Sequence, residues 1–262
     1  MTMTMKLNIY SIKGDKKGEV DLPVGFDTPV RYDLIKRAVL AQQSHRLQPK
    51  APNRLAGKRT SAASWGPGHG ASRVPRVKGS RYSAAGRAAF APGTVGGRRA
   101  HPPTVERNLY EKVNKKEKKL ATASALAATT LREIVEARGH RIGNVKEIPL
   151  VVEDSLEEIS KAKDVKEFFE TVGVTEDIER ARVRKIRVGK GKMRGRKYRK
   201  KKSLLIVVGE DKGISRGAGN FPGVDVVLAK NVSPEDLAPG THPGRLCIYT
   251  ESALKDIEGR LS

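Results

Sequence analysis

Leu204-Leu205-Ile206-Val207-Val208 decides the fold: five large apolar residues in succession, closed by the turn Gly209-Glu210-Asp211-Lys212-Gly213. A strand with one face in water alternates polar and apolar residues. A short unbroken run is a strand buried on both faces, the habit of parallel sheets covered by helices. Continuous apolar runs recur at 148–152 and 246–249, and 224–228 is apolar but for Asp225. Helical patterns lie between these runs: Val165, Phe168, Phe169 and Val172 recur at helical spacing, Ser233-Pro234-Glu235-Asp236 opens a helix with acids in its first turn, and 252–261 closes the chain as a helix. Apolar strands separated by helices predict an α/β fold, a mostly parallel sheet flanked by helices.

Toward the N-terminus, 6–12 (Lys-Leu-Asn-Ile-Tyr-Ser-Ile) alternates and is expected as the first strand. Thr28-Pro29 is placed as an N-cap with proline at the first helical position. It opens a helix running to about Leu47 with Val30, Leu34, Ile35, Ala38 and Val39 on one face. Asn114 with Glu117 has the form of a capping box. A single helix is expected from there to Gly139, with Leu120, Ala123, Ala127, Leu131, Ile134 and Val135 near one face.

Between these helices the periodicity disappears. Residues 48–105 are rich in Gly, Pro, Ala, Ser and Arg, a composition that cannot bury enough apolar surface to offset ordering entropy. The expected organisation is therefore one globular α/β domain from 1–47 and 106–262, interrupted by a long basic non-globular loop extension, 48–105, that is mobile until a partner orders it.

Charge sharpens that division. The stretch 34–105 contains no Asp or Glu and 14 Lys/Arg; 180–202 contains 14 more Lys/Arg in 23 residues, again without an acid. The whole chain carries 52 basic and 29 acidic residues, so the rest is slightly acidic and the net charge of +23 sits entirely in these two pieces. A surface without counter-charges repels itself unless a polyanion neutralises it, and nucleic-acid phosphates do so with release of counterions. A solvated helix face would alternate its charges, which neither piece does. Lys-Tyr-Arg-Lys-Lys-Lys at 197–202 also has the form of a nuclear localisation signal, but that leaves the basic run from Arg180 onward unexplained. Trp65, Tyr82 and Phe90 are spaced through the loop with no apolar face to join, as stacking platforms for unpaired bases would be.

Other chemistry finds little support. The single Cys247, in Leu-Cys-Ile-Tyr, excludes an internal disulfide and a multi-cysteine zinc site, and is expected as an inert core thiol. His45, His69, His101, His140 and His242 lack ligand spacing, and no phosphate loop, nucleophile elbow or His-Glu-x-x-His helix occurs. Glu157 with Glu158 is expected to be a solvated pair. An RNA-modifying or nucleotide-using enzyme would need a pocket at the carboxyl ends of the strands, where only the turn 209–213 is a candidate. No enzyme activity, cofactor or metal is expected. No apolar run reaches the roughly 18 residues of a membrane span, and the N-terminal Met-Thr-Met-Thr-Met-Lys lacks the apolar core of a secretory signal, so a cytoplasmic protein is expected.

Several landmarks together resemble the universal large-subunit ribosomal protein family numbered four, in its archaeal form. They are Gly-Glu-Val-Asp-Leu-Pro (18–23), Gly-His-Gly-Ala-Ser-Arg-Val-Pro-Arg-Val (68–77), Val-Gly-Gly-Arg-Arg-Ala-His-Pro-Pro (95–103), Lys-Glu-Lys-Lys-Leu-Ala-Thr-Ala-Ser-Ala-Leu-Ala-Ala-Thr (116–129), Arg-Gly-Arg-Lys-Tyr-Arg (194–199), Glu-Asp-Leu-Ala-Pro-Gly (235–240), Pro-Gly-Arg-Leu (243–246) and Thr-Glu-Ser-Ala (250–253). Eukaryotic relatives continue beyond the point where this chain stops, Ser262, which fits the archaeal form.

The resemblance implies a structural constituent of the large subunit. Its loop would thread ribosomal RNA to the wall of the peptide exit tunnel and support subunit assembly. By motif, Trp65, Gly66, Gly68, His69, Gly70 and Arg73 would line the tunnel. Those six, with Arg46, Arg54, Lys58, Arg59, Arg76, Lys78, Arg81, Tyr82, Arg87, Arg98, Arg99 and His101, would contact RNA along the loop. Arg194, Arg196, Lys197, Tyr198 and Arg199 would form a second contact. The family commonly carries Gly-Arg-Gly where this chain has Gly68-His69-Gly70, which exchanges a fixed charge for a ring that can stack or hydrogen-bond. The implied partners are large-subunit ribosomal RNA, neighbouring ribosomal proteins and, at the tip, the nascent peptide; no homo-oligomer is expected. Regulatory binding to a free messenger could coexist with these roles.

Overall fold

The computed structural model describes residues 5–261; the Met-Thr repeat at 1–4 lies outside the described residues, as does Ser262. Contacts divide the chain into two compact units, 5–43 with 111–261, and Ser44–Tyr110. In chain order the elements are β1 (Lys6–Tyr10), β2 (Lys16–Asp21), α1 (Tyr32–Ser44), β3 (Ala62–Ala63), β4 (Arg76–Val77), α2 (Lys115–Thr130), α3 (Arg132–Ala137), β5 (Leu150–Val152), α4 (Ala162–Val172), α5 (Thr175–Arg182), β6 (Lys185–Ile186), β7 (Tyr198–Arg199), β8 (Leu205–Val208), α6 (Ile214–Ala218), β9 (Asp225–Leu228), α7 (Pro234–Leu237), β10 (Cys247–Thr250) and α8 (Glu251–Leu261).

The first unit is the α/β body. Its six-stranded sheet has the order β2-β1-β5-β10-β8-β9. Every pairing from β1 through β9 is parallel. Only the edge pair β1–β2 is antiparallel, with Lys6 opposite Asp21 and Ile9 opposite Gly18. β2 is mostly exposed and polar, so no apolar signal marks it in the sequence.

The run at 204–208 behaves as its composition demands. Leu204, Ile206 and Val208 face one core, with Val165, Phe168, Phe169 and Val172 of α4. Leu205 and Val207 face a second, with Ile35 and Val39 of α1, Leu126 of α2 and Leu254 and Ile257 of α8. The period of two sends alternate residues to opposite faces, and helices cover both. Each fully buried apolar side chain contributes roughly 1.5–3 kcal/mol, so the four on α4 contribute about 6–12 kcal/mol before conformational entropy is subtracted. Cys247 is buried between these strands, and burial pushes its thiol up to about 12, as an inert core thiol requires.

Four local expectations fail. Thr28 does not open α1; its hydroxyl donates to the Gly25 carbonyl at 3.1 Å and closes the short 3-10 turn Val24–Asp27. The entry to α1 is held by another helix instead: Ser124 Oγ accepts from the Arg31 amide at 2.6 Å and donates to the Pro29 carbonyl at 2.9 Å. At the start of α2, Asn114 makes no side-chain cap, and Glu117 instead accepts from Arg37 at 2.6 Å, tying α2 to α1.

The long helix expected to reach Gly139 breaks at Leu131, which is extended (φ −88°, ψ 106°). Just before the break, Thr129 and Thr130 turn their hydroxyls back onto the carbonyls of Leu126 (2.7 Å) and Ala127 (2.8 Å), a local bonding that competes with helix continuation. Leu120 and Leu131 are left exposed, while every residue from Ala121 to Thr129 is buried. Small side chains on all sides let this helix sit inside the body.

Glu157 is the fourth correction. It is buried, and its Oε1 accepts from the Gly209 amide (2.8 Å), the Thr250 hydroxyl (2.9 Å) and the Ser252 hydroxyl (3.0 Å), while Oε2 accepts from the Glu210 amide (3.3 Å). Adjacent Glu residues in a polar turn read as solvated. Only the parallel arrangement of β8 and β10 brings these donors to one of them.

Candidate nucleic-acid interface

The second unit, Ser44–Tyr110, carries 13 Lys/Arg against a single acid, Glu106. Among its described residues Val77 is the only buried apolar side chain. It is nevertheless more regular than its composition predicts. Ala62 pairs with Val77 and Ala63 with Arg76. Arg76 also bridges Ala88, and backbone bonds run from Val77 to Arg87 (3.0 Å) and from Gly86 to Val77 (3.1 Å). The result is a small ribbon with β4 in its middle. Two-residue strands held by backbone bonds have no hydrophobic period, which is why the sequence does not show them.

Trp65 and Arg76 organise this ribbon. The Arg76 guanidinium lies 5.1 Å from the centre of the Trp65 ring, a cation–π contact. Its Nη1 donates to the Gly86 carbonyl (3.0 Å) and its Nη2 to Ser72 Oγ (3.1 Å). Arg76 is thus turned into the loop, whereas Trp65 keeps half of its surface open. The six tip residues share one turn, closed by Ser64 Oγ donating to the Arg73 carbonyl at 3.0 Å. Gly66, Gly68 and Gly70 all have positive φ (80°, 90° and 60°), and a Cβ on any of them would meet nothing within 4 Å. Glycine is required there by backbone conformation alone, and the surface it leaves is bare. His69 stands edge-on to Trp65 at 6.2 Å.

Arg46, Arg54, Lys58, Arg59, Arg73, Lys78, Arg81, Arg87, Arg99 and His101 are exposed, and Arg98 is half-buried. Arg54 is paired with Glu106. Tyr82 donates to the Lys78 carbonyl and leaves about half of its surface exposed. Gly57 packs against the backbone of Gly97 and Arg98, where a Cβ would come within 2.4 Å. This close approach joins the outgoing and returning arms of the loop. His45 and Tyr110 stack at 3.8 Å between ring centres.

In the body, 180–202 does not behave as one arm. Arg180 donates to Asp177 (2.8 Å) and to the Lys202 carbonyl (3.0 Å), and Lys202 pairs with Asp225 (2.7 Å). Those two cations are structural. Between them β6 and β7 form an antiparallel hairpin, Lys185 opposite Arg199 and Ile186 opposite Tyr198. Arg194, Arg196, Lys197, Tyr198 and Arg199 are all exposed on it, with the Lys197 ammonium 5.5 Å from the centre of the Tyr198 ring. Sequence reasoning missed an adjoining groove of about 1010 Å³, lined by Tyr32, Arg138, His140, Lys185, Arg199, Lys200, Lys201 and His242 among others. Its residues come from five separate stretches of chain, so no motif marks it.

The crevice where α/β enzymes hold nucleotides lies beyond the carboxyl ends of the strands, at the point where strand order reverses. Here β10 lies between β5 and β8, and Glu157 takes up the Gly209 and Glu210 amides beyond β8. Further along the turn, Asp211 Oδ1 accepts from the amides of Gly213 (3.1 Å) and Ser215 (3.3 Å). The amides an anion would use already serve the protein's own carboxylates. Among the described residues no group of three His, Cys, Asp or Glu side chains could hold a metal ion, and no helix is long and apolar enough to cross a membrane.

The α/β body thus fills its own nucleotide crevice, and its excess cations are set apart in a loop and a hairpin, a construction suited to holding a polyanion. Residues 20–260 match the model of the Ribosomal protein L4/L1 family, and the chain belongs to that family. It is 53% identical to the large ribosomal subunit protein uL4 of Methanopyrus kandleri over 98% of this chain and 99% of the relative. The uL4 proteins of Methanosphaera stadtmanae (51% identical, 96% of each chain) and Archaeoglobus fulgidus (51%, 96% of this chain and 97% of the relative) are also similar. These relatives are archaeal, as the landmarks imply.

Proposed function

We propose that this chain is a cytoplasmic structural constituent of the large ribosomal subunit. It binds ribosomal RNA through the unit Ser44–Tyr110 and the β6–β7 hairpin, carries the turn around Gly68 to the wall of the peptide exit tunnel, and packs against neighbouring ribosomal proteins as a single copy. The observation that carries this reading is the confinement of all the excess positive charge to segments with almost no acid and almost no apolar core of their own. Exposed Lys and Arg neutralise phosphates, bare glycines admit the RNA backbone, and the open faces of Trp65 and Tyr82 stack on bases. At the tip, His69 and Trp65 present rings to a passing nascent peptide. No chemistry is assigned to the protein, and no cofactor.

Salt titration of the purified chain with large-subunit RNA tests this. Six to ten phosphate contacts predict an affinity loss on the order of 10³–10⁵ between 50 and 200 mM salt. Protease should cut 48–105 quickly in the free chain and slowly in assembled subunits. A loop equally resistant in both states, or a chain that leaves the subunit in a high-salt wash, would overturn the proposal.

A further inference from the structure

The groove beside the β6–β7 hairpin has a lining unlike that of the hairpin itself. Lys185, Arg199, Lys200 and Lys201 reach it, all exposed and without an ion pair among the described residues. Arg138 sits deeper and bonds only to the carbonyls of Pro239 (2.9 Å) and Pro243 (3.5 Å). Burial, with Arg245 and Arg180 nearby, lowers its guanidinium to about 10. Glu133 is the sole acid of the lining. Arg180 and Lys202 also line it but are paired with Asp177 and Asp225. Much of the remainder is apolar or aromatic: Tyr32 at the start of α1, Ile134 and Ala137 of α3, Val183, and Pro239 with Pro243 beside His242. Tyr32 leaves 55% of its surface exposed although no core residue claims its ring.

His140 also lines the groove. Its Nδ1 lies 3.0 Å from Asp177 Oδ2. Burial raises the Asp177 carboxyl, but bonds from His140 and Arg180 outweigh this and hold it well below the usual range, so it is an acceptor and Nδ1 carries the hydrogen. Burial keeps the imidazole below its ordinary value despite that contact. The neutral ring therefore has a lone pair on Nε2, and that buried atom has no hydrogen-bond partner.

A duplex backbone needs cations alone. A groove with unpaired cations, an uncommitted aromatic ring, a proline floor and an unmet acceptor suits an unpaired nucleotide with its flanking phosphates. We propose that this groove holds a nucleotide of ribosomal RNA extruded from its helix, its phosphates on Lys185, Lys200 and Lys201 and its base on Tyr32. The proposal rests on the ribosomal reading above, and adds a binding site separate from the tunnel loop and the hairpin tip.

The test uses the full chain and purified large-subunit RNA. Tyr32→Ala should weaken binding roughly five- to hundredfold at every salt concentration, without changing the salt slope, and Tyr32→Phe should restore it. Lys200→Gln with Lys201→Gln should instead lower the slope by about one to two. Photocrosslinking of assembled subunits should join a nucleotide to Tyr32 or His242. If loop residues crosslink to RNA while the groove crosslinks to none and Tyr32→Ala binds like the wild type, this inference fails and the ribosomal reading stands. If Lys200 and Lys201 couple by zero-length crosslinking to an acidic peptide of a neighbour, the groove is a protein site and the inference fails as well. If neither loop nor groove crosslinks, the ribosomal reading itself is wrong.

Discussion

Replacing Glu157 by alanine tests the claim that its carboxylate closes the nucleotide crevice by serving four donors. Thr250 Oγ1 and Ser252 Oγ lie 3.1 Å apart and can re-pair when the carboxylate is gone. The Gly209 amide cannot: it is buried, and in the wild type it has Glu157 Oε1 at 2.8 Å. A hydrogen bond to a charged group contributes roughly 1.5–3 kcal/mol, and a buried amide left without a partner costs about 1–3 kcal/mol. Counting the Gly209 amide, the longer bond to Glu210 and the lost side-chain packing, Glu157→Ala should cost about 3–5 kcal/mol. Glu157→Gln keeps a carbonyl for the Gly209 amide and both hydroxyls and loses only the 3.3 Å bond to Glu210, so about 1 kcal/mol is expected. Urea unfolding followed by far-UV circular dichroism measures both. Fluorescence of Trp65, the only tryptophan, follows the loop unit and should not change. An alanine variant within about 1 kcal/mol of the wild type, or glutamine as damaging as alanine, would refute the reasoning.

Arg245 is fully buried and donates to the carbonyls of Ser203, Leu204, Gly223 and Asp236 and to the Asp225 carboxylate. Arg245→Met should cost about 3–5 kcal/mol in urea unfolding, and Arg245→Lys should recover little, because an ammonium lacks the planar fork that reaches all five acceptors. His140, held neutral in the fold, contributes no pH dependence above about pH 6.5, the ordinary imidazole value. As pH falls below that, the unfolded chain takes up a proton that the folded chain refuses, so the melting temperature should fall. His140→Asn should flatten that part of the profile, and a melting temperature that rises on acidification from pH 7 to 5.5 would contradict the assignment.

The body was legible because its signals are collective. Unbroken apolar runs at 204–208 and 246–249 can be satisfied only between two helical layers, and both became interior parallel strands. Signals that depend on one distant partner were not legible. Thr28 carries every mark of a cap, yet it closes the turn before it, and Ser124, 93 residues away, holds the Arg31 amide at the entry to α1. Glu157 looks solvated until β8 and β10 align. The groove was invisible for the same reason, since Tyr32, Arg138, Lys200 and His242 become neighbours only through the fold.

Arg37–Glu117 and Arg31–Ser124 fasten α1 directly to α2, so the body is latched shut on either side of the 67-residue unit between them. A latch of this kind frees the intervening chain from any duty to the sheet. Evolution can lengthen, trim or resculpt the insert without disturbing strand register, and an engineer could graft a short linker across the latch and expect the body to fold.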